Sequence, residues 1–125
     1  MTTVVDTSVL IDVLRGRMEA VDAVRRARLQ GSLHASEITR IEVLAGVRRG
    51  EEASTSALLE LLTWHPVDGG IARAAGELGR TWLPSHSGID AADLAIAATV
   101  ERLQARLLTR NVRHFPMIEG LAAPY

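Results

Sequence analysis

The chain contains no cysteine, which removes disulfides, thiolate metal sites and cysteine nucleophiles in one step. It also contains no lysine, so all 14 basic residues are arginine. A GC-rich genome favours arginine and alanine codons, and arginine forks also suit phosphate oxygens. No apolar run approaches the length of a membrane span. The start lacks a basic region followed by a long apolar core, so no signal peptide is expected. There is no glycine-rich phosphate loop and no Gly-x-Ser-x-Gly elbow. The histidines (His34, His65, His86, His114) show no metal-ligand spacing. A formal net charge of −1 excludes a strong whole-molecule attraction for nucleic acid. Basic residues are clustered, however, from Arg15 to Arg28 and again at Arg106, Arg110 and Arg113. What remains is a chain of 125 residues, 47% hydrophobic, which suits one domain with a real core. A cytoplasmic protein is the simple reading.

Val4-Val5-Asp6-Thr7-Ser8-Val9-Leu10-Ile11 organises the rest. Thr3 to Val5 reads as a central strand, and Asp6 stands at its carboxyl end, where open α/β sheets place their active crevices. Helices are predicted over Val9–Arg15 and Met18–Leu29, the second with Val21, Val24, Ala27 and Leu29 on one face. Leu33–Ala35 is a short strand. Ser36 caps a helix from Ile38 to Arg48, and Gly50 stops it. A further helix spans Glu52–Thr63, with Leu58, Leu59, Leu61 and Leu62 forming an apolar side. Trp64–Val67 suggests a brief strand, and Asp68 caps a helix from Gly70 to Leu83. After the loop at 84–88, Ile89–Val100 forms a helix that is apolar nearly all round and therefore buried. Arg106–Thr109 is a strand, and Leu121–Tyr125 a candidate edge strand. Helices alternating with short strands point to an α/β fold with a mainly parallel sheet and no second domain.

Three acids stand in apolar surroundings: Asp6, Glu42 and Asp93. Isolated buried carboxylates are costly, and one shared divalent cation would satisfy all three. Oxygen-only ligation suits Mg²⁺ or Mn²⁺ rather than zinc. Each acid also has a plainer explanation: Asp6 as a helix cap, Glu42 as a solvated charge, Asp90 and Asp93 as a capping box. If Asp90 is the cap, Asp93 is the better ligand. Thr7, Ser8 and Thr109 are placed to orient ligands or water. Asn111 follows a strand end, as Asp6 does, and is either a turn residue or a contact to a metal's waters.

The opening block resembles that of PIN-domain proteins, specifically VapC-type toxins. Glu42-Val43-Leu44-Ala45-Gly46, then Asp93 to Thr99, then Leu108 to Phe115 agree with the same family in order and spacing. The resemblance covers the whole chain. It implies a three-layer α/β/α sandwich around a short, mainly parallel sheet. It implies a Mg²⁺- or Mn²⁺-dependent endoribonuclease toxin, acting on tRNA or rRNA, forming a homodimer and neutralised by a VapB-type antitoxin. By motif position, Asp6, Glu42 and Asp93 form the metal site, and Asn111 completes the catalytic set where the family often has a fourth acid. Thr7, Ser8, Asp90 and Thr109 support it, and Arg110 and Arg113 hold the RNA backbone. The antitoxin would cover the leucine-rich helical faces.

Two other readings compete. A response-regulator receiver domain has similar length and an acidic Mg²⁺ pocket, but it requires a lysine that this chain lacks. A PIN scaffold with weak or no catalysis, serving as an RNA- or protein-binding module, is compatible with an asparagine at position 111.

Overall fold

In a computed structural model, residues 1–125 form a four-stranded parallel sheet in the order β3-β2-β1-β4, flanked by six helices. The strands are β1 (Thr3–Val5), β2 (Leu33–Ser36), β3 (Thr63–His65) and β4 (Arg106–Leu108). Helices α1 (Thr7–Leu14) and α2 (Met18–Gln30) connect β1 to β2, and α3 (Glu37–Ala45) and α4 (Glu52–Leu59) connect β2 to β3. Helices α5 (Gly69–Trp82) and α6 (Ala91–Leu103) carry the chain across to β4, on the far side of β1. The three-layer sandwich with a parallel sheet is therefore as expected, and β1 is internal.

Alternation along β1 supplies both cores. Val5, with Leu33 and Ala35 of β2, packs against apolar residues of α1, α2 and α4. Val4, with Leu107 of β4, packs against Ile96, Ala97 and Val100 of α6 and against Phe115. Each valine, leucine, isoleucine or phenylalanine among them, fully buried, stabilises the fold by about 1.5–3 kcal/mol before entropy is counted. Helix α6 lies between the sheet and α5, so Asp93 through Val100 are all buried. Its start is defined locally: Asp90 caps it, accepting from Asp93 N–H, while Asp93 returns a bond to Asp90 N–H. Ser36 and Asp68 cap α3 and α5 in the same manner, accepting from Ile38 and Ile71 N–H.

Several expected features differ. Helix α3 ends at Gly46 rather than Gly50. Gly50 instead takes a left-handed turn (φ +89°) ahead of α4, a conformation that glycine adopts without steric cost. Helix α4 stops at Leu59, whose carbonyl accepts from the Trp64 indole, because the chain must turn to reach β3. Leu58, Leu59 and Leu62 are core residues, whereas Leu61 is exposed. On α2 the buried stripe is Ala20, Ala23, Val24 and Ala27, and Leu29 is 84% exposed. Residues 121–125 form no strand. Pro124 has no ladder donor, and Tyr125 is drawn instead onto α1, so β4 keeps a free edge. A cavity of about 520 Å³ lies there, between α2, β4 and residues 118–124. None of Asp6, Glu42 and Asp93 lines it.

Candidate active site

The sheet order reverses between β1 and β4: the connection from β1 leaves toward β2, while β4 arrives from the opposite side. Crevices at such switch points, beyond the carboxyl ends of the strands, are where open parallel sheets bind ligands. Asp6 follows β1 directly at this point and Thr109 follows β4. The backbone joins them, Asp6 N–H donating to the Leu108 carbonyl at 2.9 Å.

Asp6 is 3% exposed. It occupies the N-cap position of α1 yet makes no capping bond with its side chain. Its Oδ2 accepts from the Ser8 hydroxyl at 2.7 Å and from the Thr109 hydroxyl at 2.8 Å. Those hydroxyls in turn accept from the next loop: Arg110 N–H donates to Ser8 Oγ at 3.2 Å, and Asn111 N–H donates to Thr109 Oγ1 at 3.0 Å. Two hydroxyls thus fix the carboxylate and the β4 loop together. No arginine or histidine pairs with Asp6. A buried carboxylate with neutral donors on one oxygen and no counter-charge is costly as it stands.

At Glu42 the solvated-charge reading holds and the expectation of burial does not. Glu42 is exposed, because its stretch of α3 faces outward; Ile41 and Leu44 beside it are 63% and 52% exposed. Its Oε1 nevertheless accepts from the Thr7 hydroxyl at 2.7 Å, which ties it to the residue after Asp6. Thr39, buried on α3 and not foreseen, stands 3.1 Å from the same Thr7 hydroxyl. Thr7 therefore serves Glu42, while Ser8 and Thr109 serve Asp6.

Asp93 is 7% exposed in the first turn of α6. Because α6 feeds β4, that first turn lies at the carboxyl edge of the sheet. Its Oδ2 accepts from Asp90 N–H and stands 3.1 Å from His114 Nδ1. Burial pushes the Asp93 carboxyl up to about 6; the Asp90 charge adds to this, and the Asp90 backbone N–H and His114 oppose it. Nothing in the sequence marks His114, since isolated loop histidines are common. Its position three residues beyond Asn111, on the short 3₁₀ turn at Val112–His114, brings it back to α6.

Asn111 is exposed, and its side chain makes no capping bond. Arg113 is exposed with no carboxylate partner. Arg110 is already engaged, its Nε 3.1 Å from Asp12 Oδ2.

The donor set is all carboxylate and hydroxyl oxygen, which suits a hard divalent cation, and Asp6 lacks the positive charge that such an ion would bring. As the side chains stand, no three acidic or histidine residues are close enough to share one ion. Glu42 is bonded to Thr7 and Asp93 stands against His114.

Residues 3–120 match the PIN domain family. The chain is 45% identical over 124 residues to Ribonuclease VapC19 of Mycobacterium tuberculosis, covering 97% of this chain and 98% of that one. Among solved structures it resembles a toxin–antitoxin complex from Klebsiella pneumoniae, with a TM-score of 0.80, 28% identity and 98% of each chain covered. It also resembles VapBC-1 from nontypeable Haemophilus influenzae, with a TM-score of 0.74, 26% identity, and 98% and 96% covered.

Proposed function

The chain belongs to the PIN-domain family, as a VapC-type member, and from that membership we propose that it is a divalent-cation-dependent endoribonuclease toxin held in check by a VapB-type antitoxin. One observation carries the metal-site reading: Asp6 is buried at the sheet's switch point, oriented by two hydroxyls, with no counter-charge.

In this reading Asp6, Glu42 and Asp93 hold Mg²⁺ or Mn²⁺. When bound, the cation supplies Lewis-acid stabilisation of charge on the scissile phosphate and a lowered pKa for attacking water. The chain's own residues do the positioning. Ser8 and Thr109 fix the Asp6 carboxylate, Thr7 steadies Glu42, and Asp90 anchors Asp93 at the start of α6. Asn111, exposed at the loop after β4, offers an amide to the substrate in place of an acid. Arg110 and Arg113 take phosphates, and they are needed because an acidic centre otherwise repels RNA. The substrate class is structured RNA such as tRNA or rRNA.

The relatives in solved toxin–antitoxin complexes support an antitoxin partner. Leu58, Leu59 and Leu62 are not its docking surface, because they are core residues. The exposed apolar residues Ile41, Leu44 and Leu61 are the surface available to it. A homodimer and a cytoplasmic location belong to the same proposal. No helix is long and apolar enough to cross a membrane.

The test is cleavage of total RNA by purified protein in Mg²⁺ or Mn²⁺ against EDTA, with Asp6→Asn alongside. Metal-dependent cutting lost in the variant is the expected result. Cutting that persists in Asp6→Asn would sink the site assignment. A second reading, a PIN scaffold that binds RNA or protein without cutting, draws on the absence of a preformed three-residue metal group and on Asn111. It is favoured if calorimetry finds no Mg²⁺ binding to the isolated protein.

A further inference from the structure

Ser8 and Asp12 lie four residues apart on α1 and so share a face. Ser8 accepts from the backbone N–H of Arg110, and Asp12 pairs with that arginine's side chain, Nε to Oδ2 at 3.1 Å. Asp12 is also held from its other side. The Tyr125 hydroxyl donates to the same Oδ2 at 2.7 Å, and Arg17 Nη1 stands 3.7 Å from it. The Tyr125 ring lies under the Arg17 guanidinium, 4.9 Å from ring centre to Cζ, and 6.0 Å from that of Arg110. Its other side packs on the core formed by α1, α2 and α4. Burial, with Asp12 beside it, pushes the phenol above its usual range, so Tyr125 remains the donor.

Asp12 and Tyr125 serve no role in the mechanism above, yet their geometry is specific. Asp12 pairs with the Arg110 guanidinium, Nε being its nearest nitrogen, and neither Nη group makes a hydrogen bond within the chain. The side chain of Arg110 is half-exposed. Its backbone is pinned to the hydroxyl that orients Asp6. A guanidinium held by an ion pair at Nε, with its Nη groups unbonded, can offer those two nitrogens as a fork suited to a phosphate.

We propose that Asp12 and Tyr125 are positioning residues for RNA: together they hold Arg110 beside Asp6 with its Nη groups free for a backbone phosphate near the cleavage site. The proposal rests on the ribonuclease reading and deepens it. Holding a long side chain before RNA arrives removes rotamer entropy that binding would otherwise lose. Asp12 therefore favours RNA binding although it is itself an acid in an RNA-binding region. Simple charge repulsion predicts the opposite.

The experiment measures binding of bulk tRNA by anisotropy in EDTA, across a salt titration, for Asp12→Asn, Tyr125→Phe, Arg110→Ala and the two double variants with Arg110→Ala. Arg110→Ala should weaken binding about three- to tenfold and reduce the slope of log K against log salt by about 0.7–0.9, one phosphate's worth. Asp12→Asn and Tyr125→Phe should each weaken binding severalfold alone and add nothing in the Arg110→Ala background. Tyr125→Phe keeps the ring and its packing, so it stays folded even if Asp12→Asn does not. Tighter binding by Asp12→Asn, or equal losses with and without Arg110, would overturn the proposal. Cleavage in Mg²⁺ separates the two levels. Metal-dependent cutting by the wild type, with unchanged RNA binding in the clasp variants, overturns the clasp alone. A wild type that neither binds nor cuts RNA overturns both readings.

Discussion

Asp93→Asn should stabilise the metal-free protein while abolishing RNA cleavage. The Asp93 carboxyl is pushed up to about 6 from an ordinary 3.8, chiefly by burial. An acid whose folded pKa lies above its unfolded value holds its proton more tightly in the folded state. Stability therefore falls as pH rises between about 4 and 6, and the full cost is present above about 6. A shift of about two units corresponds to about 3 kcal/mol at most. The pair with His114 and solvent at the rim reduce the net gain from removing the charge to about 1–3 kcal/mol. Asparagine retains an oxygen to accept from Asp90 N–H, so the helix start survives. Urea unfolding in EDTA at pH 7.5 and pH 4 measures the effect. The variant should be more stable than the wild type at pH 7.5, and most of the difference should be lost by pH 4, where the folded wild type carries the proton and the unfolded chain carries nearly half of one. Mg²⁺ should then raise the wild type's midpoint and leave the variant's unchanged. A variant destabilised equally at both pH values would refute the reasoning, because Asp93 would then be a structural cap whose charge costs nothing.

Thr109→Val removes the hydroxyl that donates to Asp6 and accepts from Asn111 N–H in a fully buried position, and should cost about 2–4 kcal/mol in urea unfolding. A loss below about 0.5 kcal/mol would mean that Ser8 alone orients Asp6. Thr55 on α4 carries a buried hydroxyl with no partner, so Thr55→Val should stabilise by about 1 kcal/mol, raising the melting temperature by about 3–5 °C. A lower melting temperature would indicate a partner for that hydroxyl in solution.

Stability and function pull apart at these carboxylates. Core packing and local caps favour the fold, whereas Asp6 and Asp93 are held in dry surroundings that a cation would relieve. Strain of this kind is common where a site must bind charge tightly and selectively.

Features that depend on neighbours a few residues away can be read from the amino-acid order alone. The caps at Ser36, Asp68 and Asp90 were legible because a side chain reaches a backbone N–H only two or three positions on. The β1 strand and the buried α6 were legible because their apolar runs cannot face water. Asp6 was legible as a candidate because a lone acid in such a run needs a partner. Tertiary structure decided the partners. Thr109 reaches Asp6 across 103 positions and Tyr125 reaches Asp12 across 113. It also turned Glu42 and Ile41 outward, although their surroundings in the sequence are as apolar as those of buried residues. Hydrophobic periodicity tells which residues can be buried together. Which face of a helix meets the sheet, and which distant loop closes on it, depends on strand order and loop closure, which no local window contains.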